Sequence, residues 1–464
     1  MKTHLRRRRT IVAAVSGLAL TAAAAVAVVA GPAVLGLAPV SAAACDSQLF
    51  GWAATSGSGL STTTGGGNAT PQTITTLADL TKYAGDSTPR VLRISGTITT
   101  GGYAVDVASN KTVIGADGNA TIYGGLNIKA GTSNVIIRNL NMKGFWPNSG
   151  PDDTLAARGA HHLWFDHLNV WDATDGLLDI TQGSDLVTVS WSKFWYTNAS
   201  HPHRLASLNG SDANNDSIDA GKLNVTYHHN WFADLVDQRM PRVLFGKGHV
   251  YNNYYTTTGN LYGIGVGALA SVLVENNYFK KTNNPHQFMY ARPSYITARG
   301  NTYESTTGVR DTGAGGTGGG VTPFTTPPYS YTPEAASAVP TSVQACAGPK
   351  LTGTTTTPPT TAPTTTAPSG SCSATYRTVN SWDGGFQGEV TVTAGGSAIS
   401  AWSAKWTLSS GQAISQVWNG KLTASGTSVV VTNETYNGAL AAGTSTTFGF
   451  LATGTASTPS VTCA

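Results

Sequence analysis

Short segments in which apolar and polar residues alternate recur through the first three quarters of the chain. Each is about eight residues long and ends in a large apolar residue, and most successive ends lie about 23 to 28 residues apart. Alternation with a period of two predicts strands, and repetition at this length is typical of coils stacked on one another. The segments are 135–142, 163–170, 187–194, 225–232, 272–279 and 296–303, with a shorter one at 249–255.

These strands favour a parallel β-helix rather than a sandwich of hairpins, because regular two-residue turns between them are mostly missing. One longer interval, of about 38 residues, holds the polar insertion 209–220. We expect a ladder of asparagines at the bends between strands. Its members are Asn139, Asn230, Asn253, Asn277 and Asn301.

A change in composition divides the chain into domains. Residues 353–370 are almost entirely Thr, Pro, Ala, Ser and Gly, which cannot bury a core and are typical of an extended linker. We therefore predict an all-β protein with a long domain at 45–350, a linker at 351–371 and a small antiparallel β-sandwich at 372–464.

The first 44 residues have the layout of a secretory signal: Lys2 and Arg6 to Arg9, a long apolar stretch, and small residues at Ala42 to Ala44. Removing them leaves 23 basic against 24 acidic residues, so the basic balance gives no reason to expect a nucleic-acid partner. Lipidation of Cys45 is an alternative, although Ala42 replaces the larger aliphatic residue expected there. We expect a secreted, extracellular monomer without a membrane partner.

The four cysteines fall in two pairs, one at the ends of each predicted domain. An exported chain meets an oxidising compartment, which favours disulfides Cys45–Cys346 and Cys372–Cys463. The other two pairings would cross-link the domains.

Three acidic residues stand out in a chain with few charges: Asp153, Asp175 and Asp179. A cluster of oxygen ligands indicates Ca²⁺. On an extended strand, residues four apart lie about 13 Å from each other, so a bend at Gly176 would be needed to bring Asp175 and Asp179 together. The alternative is that these are capping and turn aspartates.

Arginines form the second group, in the run Gln238 to Arg242 after His228-His229-Asn230. They could be surface charges, or they could bind a carboxylate through two parallel hydrogen bonds.

Ordered motifs from about residue 51 to 303 resemble the family 1 polysaccharide lyases, the pectate and pectin lyases. They are TLADL from Thr76, SNKTVIG from Ser109, SNVIIRNL from Ser133, LWFDH from Leu163, DGLLDI from Asp175, VTYHHNWF from Val225 and RMPRV from Arg239. The resemblance implies a right-handed parallel β-helix. It also implies that Asp153, which lies 13 residues before Asp166, binds calcium together with Asp175 and Asp179, and that Arg239 is catalytic.

The chemistry that the resemblance implies is β-elimination on polygalacturonate. Calcium bridges the aspartates and the substrate carboxylate, which makes the C5 proton more acidic, and Arg239 removes that proton. Because arginine ordinarily stays protonated in proteins, this role requires a strongly perturbed site.

The sequence departs from the family pattern in two places. Many members have PRVRFG where this chain has PRVLFG, so Leu244 replaces one substrate-binding cation. The family's lysine also lacks a match, because Leu205 falls at its position. We assign the carboxylate-binding role to the neighbouring Arg204 and expect Arg242 to line the cleft.

In the small domain, three aromatic residues come just before turn signals: Trp382, Trp418 and Tyr436. Rings displayed at turns can stack on sugars, whereas Trp402 and Trp406 are predicted to lie in the core. The segments NSWDGGF, GQAISQVWNG and TYNGALAAGTSTTFGF resemble the family 2 carbohydrate-binding modules. This implies that the three turn aromatics bind cellulose, with xylan or chitin as alternatives.

The leading hypothesis is a calcium-dependent pectate lyase held on the plant cell wall. A pectin lyase that acts on methylated substrate without calcium is the main rival, although the three aspartates argue against it. A polygalacturonase-like hydrolase lacks a matching aspartate-rich motif, and a non-catalytic wall-binding protein would not need Arg239. The histidines at 161, 162, 167, 228 and 229, with Trp164 and Phe165, are expected to serve packing and hydrogen bonding.

Overall fold

The long domain winds into a parallel β-helix with three faces, which we call sheets one, two and three. The computed structural model describes residues 45, 48–350, 372–382, 384–395, 397–434, 437–440, 445–457, 459 and 461–463. The predicted signal (1–44) and linker (351–371) therefore lie outside the described residues. Most coils contribute a strand to each face, although the first coil has a helix between its two sheet-one strands. The chain winds in the right-handed sense.

Strands are numbered along the chain. Sheet one contains β1 (Gln72–Ile74), β2 (Arg90–Ile94), β4 (Lys111–Gly115), β6 (Ser133–Lys143), β8 (His161–Trp171), β10 (Asp185–Ser190), β13 (Val225–His228), β16 (Lys247–Tyr251), β19 (Ser271–Glu275) and β22 (Ser294–Arg299), with β24 (Gly313–Gly315) antiparallel to β22. Sheet two contains the first part of β3 (Thr97–Asp106) and β5 (Thr121–Ile128), the ends of β6 and β8, and β11 (Lys193–Trp195), β14 (Trp231–Phe232), β17 (Tyr254–Tyr255), β20 (Tyr278–Lys280) and β23 (Thr302–Glu304). Sheet three contains the ends of β3 and β5, then β7 (Leu155–Arg158), β9 (Gly176–Thr181), β12 (Leu205–Asn209), β15 (Arg242–Leu244), β18 (Ile264–Gly267) and β21 (His286–Met289).

Equivalent positions of successive coils stack inside the helix, which explains the spacing of the alternating segments. In sheet one the register runs from Ile137 to Phe165 and Val189, all fully buried. In sheet two, neighbouring rings stack with centroids 4.3–5.4 Å apart, so each coil extends one continuous core. These rings belong to Phe194, Phe232, Tyr255, Phe279 and Tyr303.

The asparagine ladder is present but shorter than predicted. The backbone N–H groups of Asn230, Asn253 and Asn277 each donate to the side-chain oxygen of the next asparagine, the last being Asn301, over 2.9 Å. Asn139 lies one position earlier in its coil, opposite His167, at a bend with φ 54°. The prediction is therefore right for four residues and wrong for Asn139, which occupies the left-handed bend that asparagine also tolerates.

Short helices cover the β-helix. The helix α1 (Leu77–Gly85) begins at Thr76, whose hydroxyl accepts from Asp79 N at 3.1 Å, and it buries Leu80 and Ala84 against the core. α2 (Asp216–Asp219) lies within the polar insertion, and α3 (Val339–Cys346) packs on sheet two. A 3₁₀ turn at Trp52–Ala54 lies against sheet one. The predicted disulfide Cys45–Cys346 is present.

The small domain consists of two antiparallel four-stranded sheets, as expected for a β-sandwich. One contains β25 (Cys372–Trp382), β26 (Gly385–Ala394), β31 (Ser445–Thr453) and β28 (Ala413–Trp418), and the other contains β29 (Lys421–Ser425), β30 (Ser428–Thr432), β27 (Ser403–Thr407) and β32 (Thr462–Cys463). Trp402 and Trp406 are buried against Phe448, which confirms their predicted place in the core. The disulfide Cys372–Cys463 is present as predicted.

None of the helices in the described residues has both the length and the apolar character that a membrane span requires.

Candidate active site

The candidate site lies on the outward side of sheet three. Asp179 on β9 is in register with Ala156 on β7 and Leu208 on β12, and Leu208 is in register with Arg242 on β15. Because side chains alternate along a strand, these four residues point away from the core. Stacked coils thus align residues that are distant in the sequence along one row.

The three predicted aspartates converge. Each of Asp153, Asp175 and Asp179 offers a carboxylate oxygen, and these oxygens lie within 4.8 Å of one another. The bend that turns Asp175 toward Asp179 lies at 174–175, just before Gly176, rather than at Gly176 itself. Gly176 supplies space instead, since a Cβ there would lie 2.6 Å from Asp179 Oδ1 and 2.9 Å from Asp153 Oδ1.

The electrostatics of this cluster are unfavourable without a further cation. Burial raises the pKa of Asp153 to about 6, against the opposing charge of Arg158. Burial and the neighbouring Asp153 charge raise the pKa of Asp179 well above its usual range, against the opposing charge of Arg239. Desolvation and like charges both disfavour the ionised forms, so the cluster holds more negative charge than its protein partners compensate.

A calcium ion fits this arrangement. All the candidate ligands are carboxylate oxygens, and Gly176 leaves open the space between two of them. In the part of the chain that the structure describes, the His, Cys, Asp and Glu side chains form one group of three able to share an ion, and it is this one. The histidines at 161, 162, 228 and 229 bond to each other in neighbouring pairs, and His167 bonds to Asp166.

Arg239 extends beside the cluster, with its Nη1 3.5 Å from Asp179 Oδ2. Its backbone is in the left-handed region with φ 61°, and its carbonyl accepts from Ser207 N at 2.7 Å, which holds the residue three positions before β15. Nε and Nη1 are buried and have no hydrogen-bond partner. Buried donors without partners are costly, so they indicate a position reserved for a ligand.

The other two predicted arginines differ in their surroundings. Arg242 lies in the row of Asp179, and its buried Nε has no hydrogen-bond partner. Arg204 Nη2 instead lies 3.8 Å from Asp237 Oδ1, in the next coil. In the part of the chain that the structure describes, its one ion pair is with Asp237 and not with any of the three aspartates. The geometry therefore brings Arg239 and Arg242 to the site, whereas Arg204 pairs elsewhere.

Leu244 points outward on β15 and yet is fully buried. The polar insertion covers it: a Cβ on Gly210 would lie 3.0 Å from both Leu244 Cβ and Leu223 Cδ1. Arg292 fastens this insertion through two bonds to Asp216, of 2.7 and 2.6 Å. Leu244 and Leu223 belong to the same buried apolar cluster as the interior of the β-helix, so this cover is continuous with the core.

Sequence reasoning missed two residues that contact the cluster. Arg158 donates from Nη2 to Asp153 Oδ2 at 3.0 Å, and His203 Nδ1 lies 2.9 Å from Asp175 Oδ1. A signal for Arg158 was available, since it lies five residues after Asp153 on the strand that Asp153 precedes. His203 comes from a loop whose path no sequence pattern specifies.

In the small domain, two of the three predicted aromatics are described, and both lie on the outer face of the sheet β25-β26-β31-β28. Trp382 is 50% exposed and pairs with Gly385, while Trp418 pairs with Gly449. Each ring lies over its glycine, where an added Cβ would come within 2.6 Å of the Trp382 ring and 2.3 Å of the Trp418 ring. Tyr436 lies outside the described residues.

Comparison with known families agrees with both domains. The family model "Pectate lyase" matches residues 18–351, and the family model "Cellulose binding domain" matches residues 372–464. Among solved structures, a double variant of a Xanthomonas campestris pectate lyase is 26% identical, covers 65% of this chain and 99% of its own, and has a TM-score of 0.51. A Bacillus pectate lyase solved with trigalacturonate has a TM-score of 0.52 over 65% of this chain and 99% of its own at 24% identity, which shows the fold alone.

Curated relatives carry the same family name. Pectate lyase A of Emericella nidulans is 37% identical over 245 residues, which is 51% of this chain and 70% of that protein. The pectate trisaccharide-lyase of Thermotoga maritima is 36% identical over 205 residues, which is 41% of this chain but only 54% of that protein. With the family model covering most of its length and a β-helix carrying the clustered aspartates, this chain belongs to the pectate lyase family.

Proposed function

We propose that this protein is a secreted, calcium-dependent pectate lyase that cleaves (1,4)-α-D-galacturonan by β-elimination. The observation that carries the proposal is the pairing of a carboxylate cluster that needs a cation with a guanidinium whose buried donors lack partners, 3.5 Å apart. A polyuronate brings the carboxylate that such a guanidinium can bind. The substrate is thus matched to the site by charge.

Asp153, Asp175 and Asp179 would hold the calcium ion. When bound, the ion supplies Lewis acidity at the substrate's C6 carboxylate, which makes the neighbouring C5 proton more acidic. The buried carboxylates are held by Gly176 N and Leu208 N, at 3.2 Å each, so their positions are set before a substrate arrives.

Arg239 would take the C5 proton. The side chain would first lose a proton, because a guanidinium has no free lone pair. As the C5 proton then moves to a nitrogen of the neutral guanidine, the electrons of the C5–H bond form the C4–C5 double bond, the C4–O bond breaks, and a solvent water molecule protonates the departing oxygen. Arg242, in the same outward row, would bind a second carboxylate of the chain. We also propose that Arg204, paired with Asp237, contributes to carboxylate binding only if that pair opens.

The small domain would hold the enzyme on the plant cell wall. Trp382 and Trp418 share one outer face, and each ring lies over a glycine, so both rings are available to stack on a sugar. We propose that Tyr436 completes this surface. Residues 351–371 would serve as the linker between the two functions, and residues 1–44 as the export signal.

The test follows the ultraviolet absorbance of unsaturated uronides released by the full mature protein. Polygalacturonate and highly methylated pectin are each assayed with calcium and with chelator. We expect product from polygalacturonate with calcium and none with chelator. Product from methylated pectin in chelator would favour the pectin lyase, and no product under any condition would refute a lyase of either kind.

A further inference from the structure

Besides Arg239, Arg158 is the one arginine or lysine that the described residues place against a carboxylate of the acidic cluster. It lies at the end of β7, on the side of the cluster toward the first coils, whereas Arg239 and Arg242 lie on the side toward the last coils. The aspartates therefore have cations on both sides along the outward face of sheet three.

The contacts of Arg158 leave most of its guanidinium available. Nη2 donates to Asp153 Oδ2 at 3.0 Å and Nη1 donates to Asn127 Oδ1 at 3.1 Å, which uses two of five N–H groups. The side chain is 40% exposed, whereas that of Asp153 is 6% exposed. The carboxylate is thus buried, whereas the arginine bound to it is partly exposed.

Counting formal charges shows why the partner of Arg158 should change. Three carboxylates with Arg158 and Arg239 leave the site one negative charge, with histidine counted as neutral. A divalent cation turns this into one positive charge, and a uronate carboxylate then neutralises it. A cation held there would also repel the guanidinium, because both would share the Asp153 carboxylate.

We propose that Arg158 alternates between two carboxylates. Without metal it is the counter-ion of Asp153, and with a divalent cation at Asp153 it binds a uronate carboxylate of the substrate on the β7 side of the cluster. This inference rests on the proposed function, which it deepens by adding a binding residue. It predicts that removal of one side chain strengthens metal binding and weakens substrate binding.

The experiment compares Arg158→Ala with wild type in the full protein. Calorimetric titration of calcium without substrate should show a Kd about three- to tenfold lower in Arg158→Ala, because the competing cation is gone. At saturating calcium, KM for polygalacturonate should rise about tenfold while kcat changes less than about twofold. Arg158→Lys should restore the calcium Kd but only part of the KM, since lysine lacks the planar fork.

Lys129→Ala is the matched control. Lys129 follows Ile128, which is in register with Ala157, and it pairs with Asp106 rather than with the cluster. Its loss should leave the calcium Kd at the wild-type value. A calcium Kd that rises in Arg158→Ala, or a KM that does not change, would overturn the proposal, and thermal unfolding shows whether each variant is folded.

The failure of the proposed function is separable from the failure of this inference. If wild type releases no unsaturated product, the lyase assignment falls. Equilibrium binding of oligogalacturonate to the calcium-loaded proteins then decides about Arg158: about tenfold weaker binding in Arg158→Ala supports it, and equal binding refutes it.

Discussion

Two outward faces of the same β-helix bury aspartates in opposite electrostatic states. On sheet one, Asp166 accepts from Arg138 Nε at 2.6 Å and from Ser190 Oγ at 2.6 Å, and its third partner, His167 Nδ1, lies at 2.8 Å. Burial works against its charged form, but the charges of His167 and Arg138 outweigh burial and hold the pKa of Asp166 well below its usual range. On sheet three, burial and like charges raise the pKa of Asp179.

The difference separates a carboxylate that stabilises the fold from one that is reserved for a ligand. Both side chains are buried, so burial alone does not distinguish them. They differ in how far nearby donors and cations offset the negative charge. Asp166 has three close partners, whereas Asp179 has Leu208 N and a guanidinium 3.5 Å away. Removing the charge of Asp166 should therefore lower the free energy of unfolding, and removing the charge of Asp179 should lower lyase activity.

The largest expected effect is on activity. Asp179→Asn removes a proposed calcium ligand and the charge beside Arg239, so lyase activity should fall about 10³-fold. The stability of the metal-free protein should stay the same or rise by about 1 kcal/mol, because repulsion with Asp153 is relieved. Initial rates on polygalacturonate and denaturant unfolding in chelator measure the two quantities. A variant that keeps wild-type activity would exclude Asp179 from the site.

Asp166→Asn should show the reverse. It leaves Arg138, whose side chain is 12% exposed, beside a neutral group, and breaking such a buried pair costs about 3–5 kcal/mol of unfolding free energy. The folded fraction should keep the wild-type kcat, since Asp166 points outward from sheet one. The two substitutions are matched controls for each other, and equal losses of activity in both would erase the proposed distinction.

The third prediction concerns the cover over the cleft wall. Leu244→Arg should not restore a substrate-binding cation, because Leu244 is packed beneath Gly210 and Leu223. A buried unpaired guanidinium should cost about 3 kcal/mol or more of unfolding free energy. Leu244→Met, which conserves volume, should cost less than about 1.5 kcal/mol. An arginine variant as stable as wild type with a lower KM would show that the cover opens.

The surroundings of Leu244 are an example of a feature that the sequence could not predict. The period of alternating segments was sufficient for the β-helix and its core, because one strand pattern repeated in every coil. The family resemblance, carried here by the position of Asp153 before Asp166 and by the DGLLDI motif, implied three aspartates whose oxygens do meet within 4.8 Å. Contacts made by the irregular loops were not predictable, because the insertion over Leu244, the approach of His203 and the pairing of Arg204 with Asp237 depend on paths without periodicity.

Glu275, another compensated carboxylate on sheet one, should make the free energy of unfolding depend on pH. Burial opposes the charged form of Glu275, but hydrogen bonds from His249, Arg299 and Tyr331 outweigh it and lower the pKa of Glu275 to about 2. A depressed carboxyl pKa stabilises the fold above the unfolded value of 4.5, and this stability is lost as the pH falls from about 4.5 to about 2. Unfolding free energies over this range should therefore decline less steeply in Glu275→Gln. If the unfolding free energy declined equally steeply with falling pH in both proteins, the hydrogen bonds to Glu275 would not contribute to stability.

The smallest effect is expected in the other domain, where affinity comes from exposed rings and not from charge. Trp418→Ala should weaken retention on cellulose about tenfold, which corresponds to about 1.4 kcal/mol and is the usual scale of one stacked ring. Lys421→Ala, on the opposite sheet and with a side chain 58% exposed, is the control and should be retained as wild type is. Because the ring rests on Gly449 and contributes nothing to the core, thermal unfolding should not change. Activity on soluble polygalacturonate should not change either, because the acidic cluster of the long domain binds substrate through charge, whereas the small domain binds cellulose through stacking on aromatic rings. Unchanged retention would remove Trp418 from the binding face.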